Sequence, residues 1–205
     1  MLLNIDPQHL NTKKMEKVEE CLREGGTIIY PTDTVYAIGC DLKDQEAMKK
    51  VARIKGLKPE NAEFSIVFND LSHLSDYSKP IDNPSFKLLK RALPGPFTFI
   101  LEGNSKLPKL FFNKRRTVGI RIPNNPIPRQ IVSDLGNPII SSSVHDDDAL
   151  LDYTTDPEAI HERFEKEVDI VINGGAGNKI ASTVVDLSDE EPNVIRQGAG
   201  ELESL

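Results

Sequence analysis

Cysteine is scarce: Cys21 and Cys40 are the only two in 205 residues, too few for a disulfide scaffold. Neither has a second cysteine at ligand spacing, and His9, His73, His145 and His161 are scattered, so no transition-metal site is expected. No apolar run approaches the roughly 18 residues that a membrane span requires. The first residues, MLLNIDPQHLNTKKMEK, lack the basic-then-apolar layout of a signal peptide, and the expected location is the cytoplasm with no membrane partner. No Gly-Lys-Ser/Thr string closes a P-loop, and no serine sits on a Gly-x-Ser-x-Gly elbow, so neither Walker-type nucleotide binding nor an α/β-hydrolase nucleophile is expected. The cluster Gly174-Gly175-Ala176-Gly177 leads into an apolar run read as a strand, which argues against a dinucleotide fingerprint.

Charge of one sign is absent from another stretch. Gly103 to Arg129 holds Lys106, Lys109, Lys114, Arg115, Arg116, Arg121 and Arg129 and no acidic residue. Residues 1–129 carry 21 basic against 15 acidic side chains, while 130–205 carry 4 against 17, so the overall −7 divides into +6 and −13. The local positive field suits phosphate, from a nucleotide or from RNA, although a solvated basic loop would carry the same charges. The acidic triplet Asp146-Asp147-Asp148 reads as a solvated loop rather than a metal site.

With 28% charged and 38% hydrophobic residues, the chain reads as a globular α/β domain spanning 1–205, with an N-terminal helix region at 1–24. Met15, Val18 and Leu22 fall at helical spacing before Gly25-Gly26. Asp44 caps a second helix with Met48, Val51 and Ile54 inward, and Asn83-Pro84 starts a third. Asn125 to Leu135 forms a fourth, and Asp156-Pro157-Glu158 opens a fifth with Ile160, Phe164 and Val168 one turn apart. Strands are expected at 27–30, 64–68, 97–101, 117–122, 138–144, 168–172, 183–187 and 194–196. Their close spacing late in the chain predicts a mixed rather than wholly parallel sheet.

Polar residues at strand ends are where α/β proteins place ligands. Pro31-Thr32-Asp33-Thr34-Val35-Tyr36 offers two hydroxyls, a carboxylate and a phenol just past a buried strand, yet the same residues also build a side-chain-stabilised turn. Ser141-Ser142-Ser143 ends an apolar strand and is either a phosphate-approach surface or a polar strand end. Lys55 and Lys58 flank Gly56 beyond a helix C-terminus, where a cation also suits the helix dipole. Cys40 reads as a core residue.

Taken in order, GGTIIYPTDTVYAIGCD, LPGPFTFIL, VGIRIP, NPIISSSV, STVVDLS and IRQGAG resemble the YrdC/YciO family of threonylcarbamoyl-adenylate synthases. The resemblance covers about Gly25 to Gly200, and the further C-terminal domain of longer members is expected to be absent. It implies a single-domain twisted mixed α/β sheet flanked by helices, with a large concave, positively charged groove. It also implies a nucleotidyltransferase reaction, threonine, bicarbonate and ATP giving threonylcarbamoyl-AMP and pyrophosphate, linked to the threonylcarbamoyladenosine modification of tRNA. Magnesium would accompany ATP, no tightly bound cofactor is expected, and tRNA-modification proteins are implied partners.

On the matching positions the resemblance assigns Lys55, Lys58 and Arg121 to catalysis. Thr32, Thr34, Tyr36, Ser182 and Thr183 fall to the substrate, and Ser141, Ser143, His145 and Arg196 to the nucleotide. Lys114, Arg115 and Arg116 form an RNA or phosphate patch. Two strings depart from the synthase pattern and resemble the YciO branch. Lys55-Gly56-Leu57-Lys58-Pro59 has Leu57 where Lys-x-Arg expects arginine, and Ser141-Ser142-Ser143-Val144-His145 stands where Ser-x-Ser-Ala-Asn is usual. The alternative is a non-catalytic or differently specific relative that holds tRNA or double-stranded RNA in the basic groove.

Overall fold

The computed structural model describes residues 1–59, 62–109, 116–144, 154–189 and 191–202. Its frame is one ten-stranded sheet: β1 (Leu2–Asn4), β2 (Ile28–Tyr30), β3 (Ala37–Gly39), β4 (Ser65–Val67), β5 (Phe97–Glu102), β6 (Thr117–Arg121), β7 (Ile139–Ser143), β8 (Ile170–Asn173), β9 (Thr183–Asp186) and β10 (Asn193–Arg196). The spatial order is β1-β8-β2-β3-β7-β4-β6-β5-β9-β10. Four pairs are parallel (β1·β8, β2·β8, β4·β6, β5·β9) and five antiparallel (β2·β3, β3·β7, β4·β7, β5·β6, β9·β10), so the sheet is mixed, as its strand spacing predicts.

Five helices start where short polar side chains satisfy the first free amides. Asn11 accepts from Lys14 N at the head of α1 (Thr12–Arg23), and Asp44 accepts from Glu46 N and Ala47 N at the head of α2 (Gln45–Ile54). Asp82, Asn125 and Asp156 cap α3 (Asn83–Ala92), α4 (Pro126–Leu135) and α5 (Pro157–Phe164), each with proline in its first turn. Helix α5 ends at Phe164 rather than continuing to Val168, and the turn that follows closes with the amides of Glu167 and Val168 both on the Phe164 carbonyl. Val168 is still buried, but it packs from a turn, and the following strand starts at Ile170.

The period-two alternation of the strands separates two apolar clusters. On one face Ile29, Ile38, Ile66, Phe99, Ile120, Ile140 and Val185 pack with Met48 and Val51 of α2, Leu89 of α3 and Ile160 of α5. On the other, Ile28, Tyr30, Val67, Ile139, Ile170 and Ile172 pack beneath α1 and α4 through Met15, Val18, Leu22, Ile127 and Ile131. That second cluster includes no residue of β5, β6, β9 or β10. Among the described residues, the part of this sheet face formed by these four strands therefore has no apolar helix cover.

Two strands go beyond the sequence expectations. The N-terminal region contributes β1 as well as its helix, and Leu3 is buried once β1 lies beside β8. Ala37–Gly39, within the polar string after β2, is an interior strand between β2 and β7. Cys40 directly after it is fully buried, in line with its core reading. Among the described residues no helix is long and apolar enough to cross a membrane.

Candidate active site

The register lines up polar side chains along the face that α1 and α4 cover in part. Val67 of β4 pairs with Arg121 on one side and Ile139 on the other, and Ser65 pairs with Gly119 and Ser141. Residues two apart point the same way, so Arg121 and Ser141 share the face that carries Tyr30, Val67 and Ile139. Across β5 the row continues through Thr98, whose hydroxyl lies 2.8 Å from that of Ser182. It ends at Arg196 of β10, paired with Val184.

The turn between β2 and β3 supplies the rest. Thr32 Oγ1 donates its only proton to the Val35 carbonyl at 2.7 Å and accepts from Thr34 N at 3.0 Å. At its 3.1 Å contact with Thr34 Oγ1, Thr34 must therefore be the donor. The free lone pairs of Thr34 then face Arg121, whose Nη2 donates to them at 2.9 Å and reaches Asp33 Oδ1 at 3.4 Å. Both partners of this ion pair are nearly sealed from solvent, at 8% and 10% side-chain exposure. Burial lowers the Arg121 pKa, the negative charge of Asp33 and the nearby Tyr30 oppose that, and the positive Arg196 adds to it. Two arginines of the site thus feel each other's charge.

Several hydroxyls prove to be architectural. Thr32 holds its own turn, which is the plainer of the two sequence expectations for it. Tyr36 Oη donates to the Gly175 carbonyl at 2.7 Å and accepts from Gly174 N at 3.2 Å, clamping the β8–β9 connection. Thr183 Oγ1 donates to the Gly200 carbonyl and accepts from the amides of Gly198 and Gly200, tying the last segment to β9. Arg196 Nη2 donates to the Ser182 carbonyl at 3.0 Å. Ser143 is exposed at the end of β7. Lys55 and the exposed Lys58 lie on the connection that enters the sheet at Ser65, the end of β4 beside the outgoing end of β7. Arg116 is described and exposed, in a left-handed conformation at φ 53°. Lys114, Arg115, His145 and the triplet Asp146-Asp147-Asp148 lie outside the described residues.

What sequence reasoning left out is informative. Among the described residues five buried side-chain atoms fall outside strict hydrogen-bond geometry, and four belong here: Tyr30 Oη, Asp33 Oδ2, Arg121 Nε and Ser141 Oγ, the first and last of which lie close enough for Ser141 to lower the Tyr30 pKa. Each buried polar group left unmatched costs about 1–3 kcal/mol, so such groups rarely cluster without a function. Asp33 and Tyr30 were not assigned roles, the first hidden in a turn motif and the second read as part of a β-rich run. A phenol closing such a run next to a Thr-Asp-Thr string was the available signal. Two cavities among the described residues, about 630 and 210 Å³, lie elsewhere. They share Lys43, Asp76 and Tyr77, and Lys106 and His73 there are already paired with Asp76.

Burial raises both site phenols, Tyr30 and Tyr36, from 10 to about 12, the former against the smaller opposing effects of Ser141 and Arg121. A proton held more tightly when folded stabilises fully below the unfolded value and is lost as pH climbs towards the folded one. Burial also raises the thiols of Cys21 and Cys40, so the urea midpoint is expected to start falling near pH 9 and to fall more steeply between pH 10 and 12, and Tyr30→Phe should flatten that steeper part. Equal slopes for the two proteins would contradict the assignment.

The fold and the site together define a mixed α/β protein with a cluster of buried polar side chains around Arg121 on one face of its sheet. The chain matches the Sua5, YciO and YrdC family model, described as telomere recombination, over residues 20–198, and it belongs to that family. It is 40% identical over 200 residues to protein YciO of Escherichia coli (strain K12), covering 97% of this chain and 95% of that one. The crystal structure of E. coli YciO superposes with a TM-score of 0.91 over 99% of this chain and 98% of that one. The threonylcarbamoyl-AMP synthase of Pyrococcus abyssi is 28% identical over 90% of this chain and 54% of its own length. The P. abyssi Sua5 structure complexed with L-threonine matches at 26% identity with a TM-score of 0.87, over 97% of this chain and 57% of that one.

Proposed function

We propose that this protein is an ATP-dependent nucleotidyltransferase of the threonylcarbamoyl-AMP synthase type, acting on threonine, bicarbonate and magnesium-bound ATP. The observation that carries the reading is the unmatched Asp33 Oδ2 and Arg121 Nε, buried beside the hydroxyls of Tyr30 and Ser141. They include a guanidinium N–H for an anionic oxygen and a carboxylate oxygen for a donor, complementary to a molecule bearing both. The family membership and the L-threonine complex of a relative support an amino acid there.

In this reading the ammonium group of threonine and bicarbonate combine into a carbamate, releasing water and a proton. A carbamate oxygen then attacks the α-phosphorus of ATP, and the bond to the bridging oxygen breaks to release pyrophosphate. No covalent enzyme intermediate is needed, so the protein contributes positioning and charge. Arg121 would hold the carboxylate. Arg196 and Ser141, with Lys55 and Lys58 from the rim, would face the phosphates, and the Thr98–Ser182 pair would line the floor between the arginines. Threonylcarbamoyl-AMP carries the group that the threonylcarbamoyladenosine modification of tRNA requires.

The test is a mass-spectrometric assay of purified protein with ATP, magnesium, bicarbonate and threonine, each omitted in turn. Threonylcarbamoyl-AMP and pyrophosphate that vanish without threonine or bicarbonate are the expected result. No product above the enzyme-free control would overturn it. Salt-sensitive binding of double-stranded RNA, weakened by Arg115→Ala and Arg116→Ala, would then assign the family relative a binding role.

A further inference from the structure

The β8–β9 connection, residues 174–182, touches the supports of both site arginines. Its near end is clamped by Tyr36 through Gly174 and Gly175, and Gly177 N donates to the Thr155 carbonyl at 2.7 Å. At Asn178 it grips the β2–β3 turn twice: the main-chain amide donates to the Thr34 carbonyl at 3.0 Å and the side-chain Nδ2 to the Asp33 carbonyl at 2.9 Å. At its far end the Ser182 carbonyl receives Arg196.

We propose that Asn178 is a positioning residue that orients Asp33 and, through it and Thr34, the Arg121 guanidinium. The Asp33 carboxylate has one long contact at 3.4 Å and one oxygen without a partner, so its direction is set by its backbone rather than by its own bonds. The Thr32 hydroxyl secures the turn on the Thr34 and Val35 side. The Asp33 carbonyl is secured from outside, by the Asn178 amide. Asn178 is exposed, so this amide adds little to the core, and its loss acts on geometry more than on folding.

The kinetic consequence rests on the synthase reading, whereas the geometric one does not, and the experiment separates them. The buried Nε–H of Arg121 is sheltered from solvent exchange and should give a persistent ¹⁵N–¹H signal, identified by its disappearance in Arg121→Lys. In Asn178→Ala that signal is expected to shift and to exchange faster. Asn178→Asp keeps the size but supplies no donor at neutral pH, so it should do the same, whereas a space-filling role would leave it like wild type. If wild type makes threonylcarbamoyl-AMP, KM for threonine should rise about three- to tenfold in both variants, the loss of one hydrogen bond, with KM for ATP unchanged. An Arg121 signal that moves in a protein without product would sustain the positioning role and sink the synthase reading. An Arg121 signal identical in all three proteins would overturn the positioning role whatever the activity.

Discussion

Arg121→Ala is expected to lower kcat/KM for threonylcarbamoyl-AMP formation by about a thousandfold, the scale of removing a preorganised charged donor from a water-poor site. Arg121 is nearly sealed, holds Thr34 through one nitrogen and keeps Nε uncommitted. No other described cation is placed to take over, since Arg196 stands at the far end of the row, held on the Ser182 carbonyl. Arg121→Lys restores a point charge without the planar fork and should recover only part of the loss. Removing the guanidinium also strands Asp33, a buried carboxylate, which is destabilising in its own right. The double variant Asp33→Ala/Arg121→Ala separates the two effects, because its thermal stability should recover towards wild type while its activity stays lost. If Arg121→Ala keeps near-normal kcat/KM, the guanidinium is structural and the site lies elsewhere.

The largest expected stability effect falls on Gly39→Ala. Gly39 ends β3 opposite Ile28, and a Cβ there would run into the Ile140 carbonyl oxygen of β7 and meet Tyr30 Cε1 at 3.2 Å. Backbone cannot step aside here, because Ile140 N is bonded to the Cys40 carbonyl at 3.0 Å in the same stretch. A loss of about 4 kcal/mol is expected, which for a chain of this size lowers Tm by about 10 °C. Gly56→Ala provides the contrast: its φ of +68° disfavours a side chain, but nothing lies within 4 Å, so about 1 kcal/mol of strain should be the whole cost. Calorimetric melts of the two variants would expose the difference, and similar Tm values would show that the β3–β7 spacing yields.

Much of this architecture is written locally. Asn11, Asp44, Asn125 and Asp156 sit where capping chemistry demands, and the apolar spacing of Met15, Val18 and Leu22 or of Met48 and Val51 defines helix faces without reference to the rest of the chain. Strands rich in Ile and Val, such as 139–140 and 170–172, declare themselves in the same way. β1 and β3 do not: each is three residues long, and a strand so short exists only because its neighbours supply the hydrogen bonds.

The site divides along the same line. The sequence by itself determined which residue types were at hand, PTDTVY, the arginine of RIP and the serines after NPII, because each occupies one short string. Tertiary structure decided their work. It spent the hydroxyls of Thr32, Tyr36 and Thr183 on backbone carbonyls and amides, brought Asp33 onto Arg121 from the β2–β3 turn, and buried Tyr30 beside Ser141. The physical reason is that a hydroxyl or carboxylate is defined by the group facing it, and here that group comes from a strand far away in the chain. Register across β2, β3, β7, β4 and β6, not spacing within any one string, chooses between a turn stabiliser and a ligand contact.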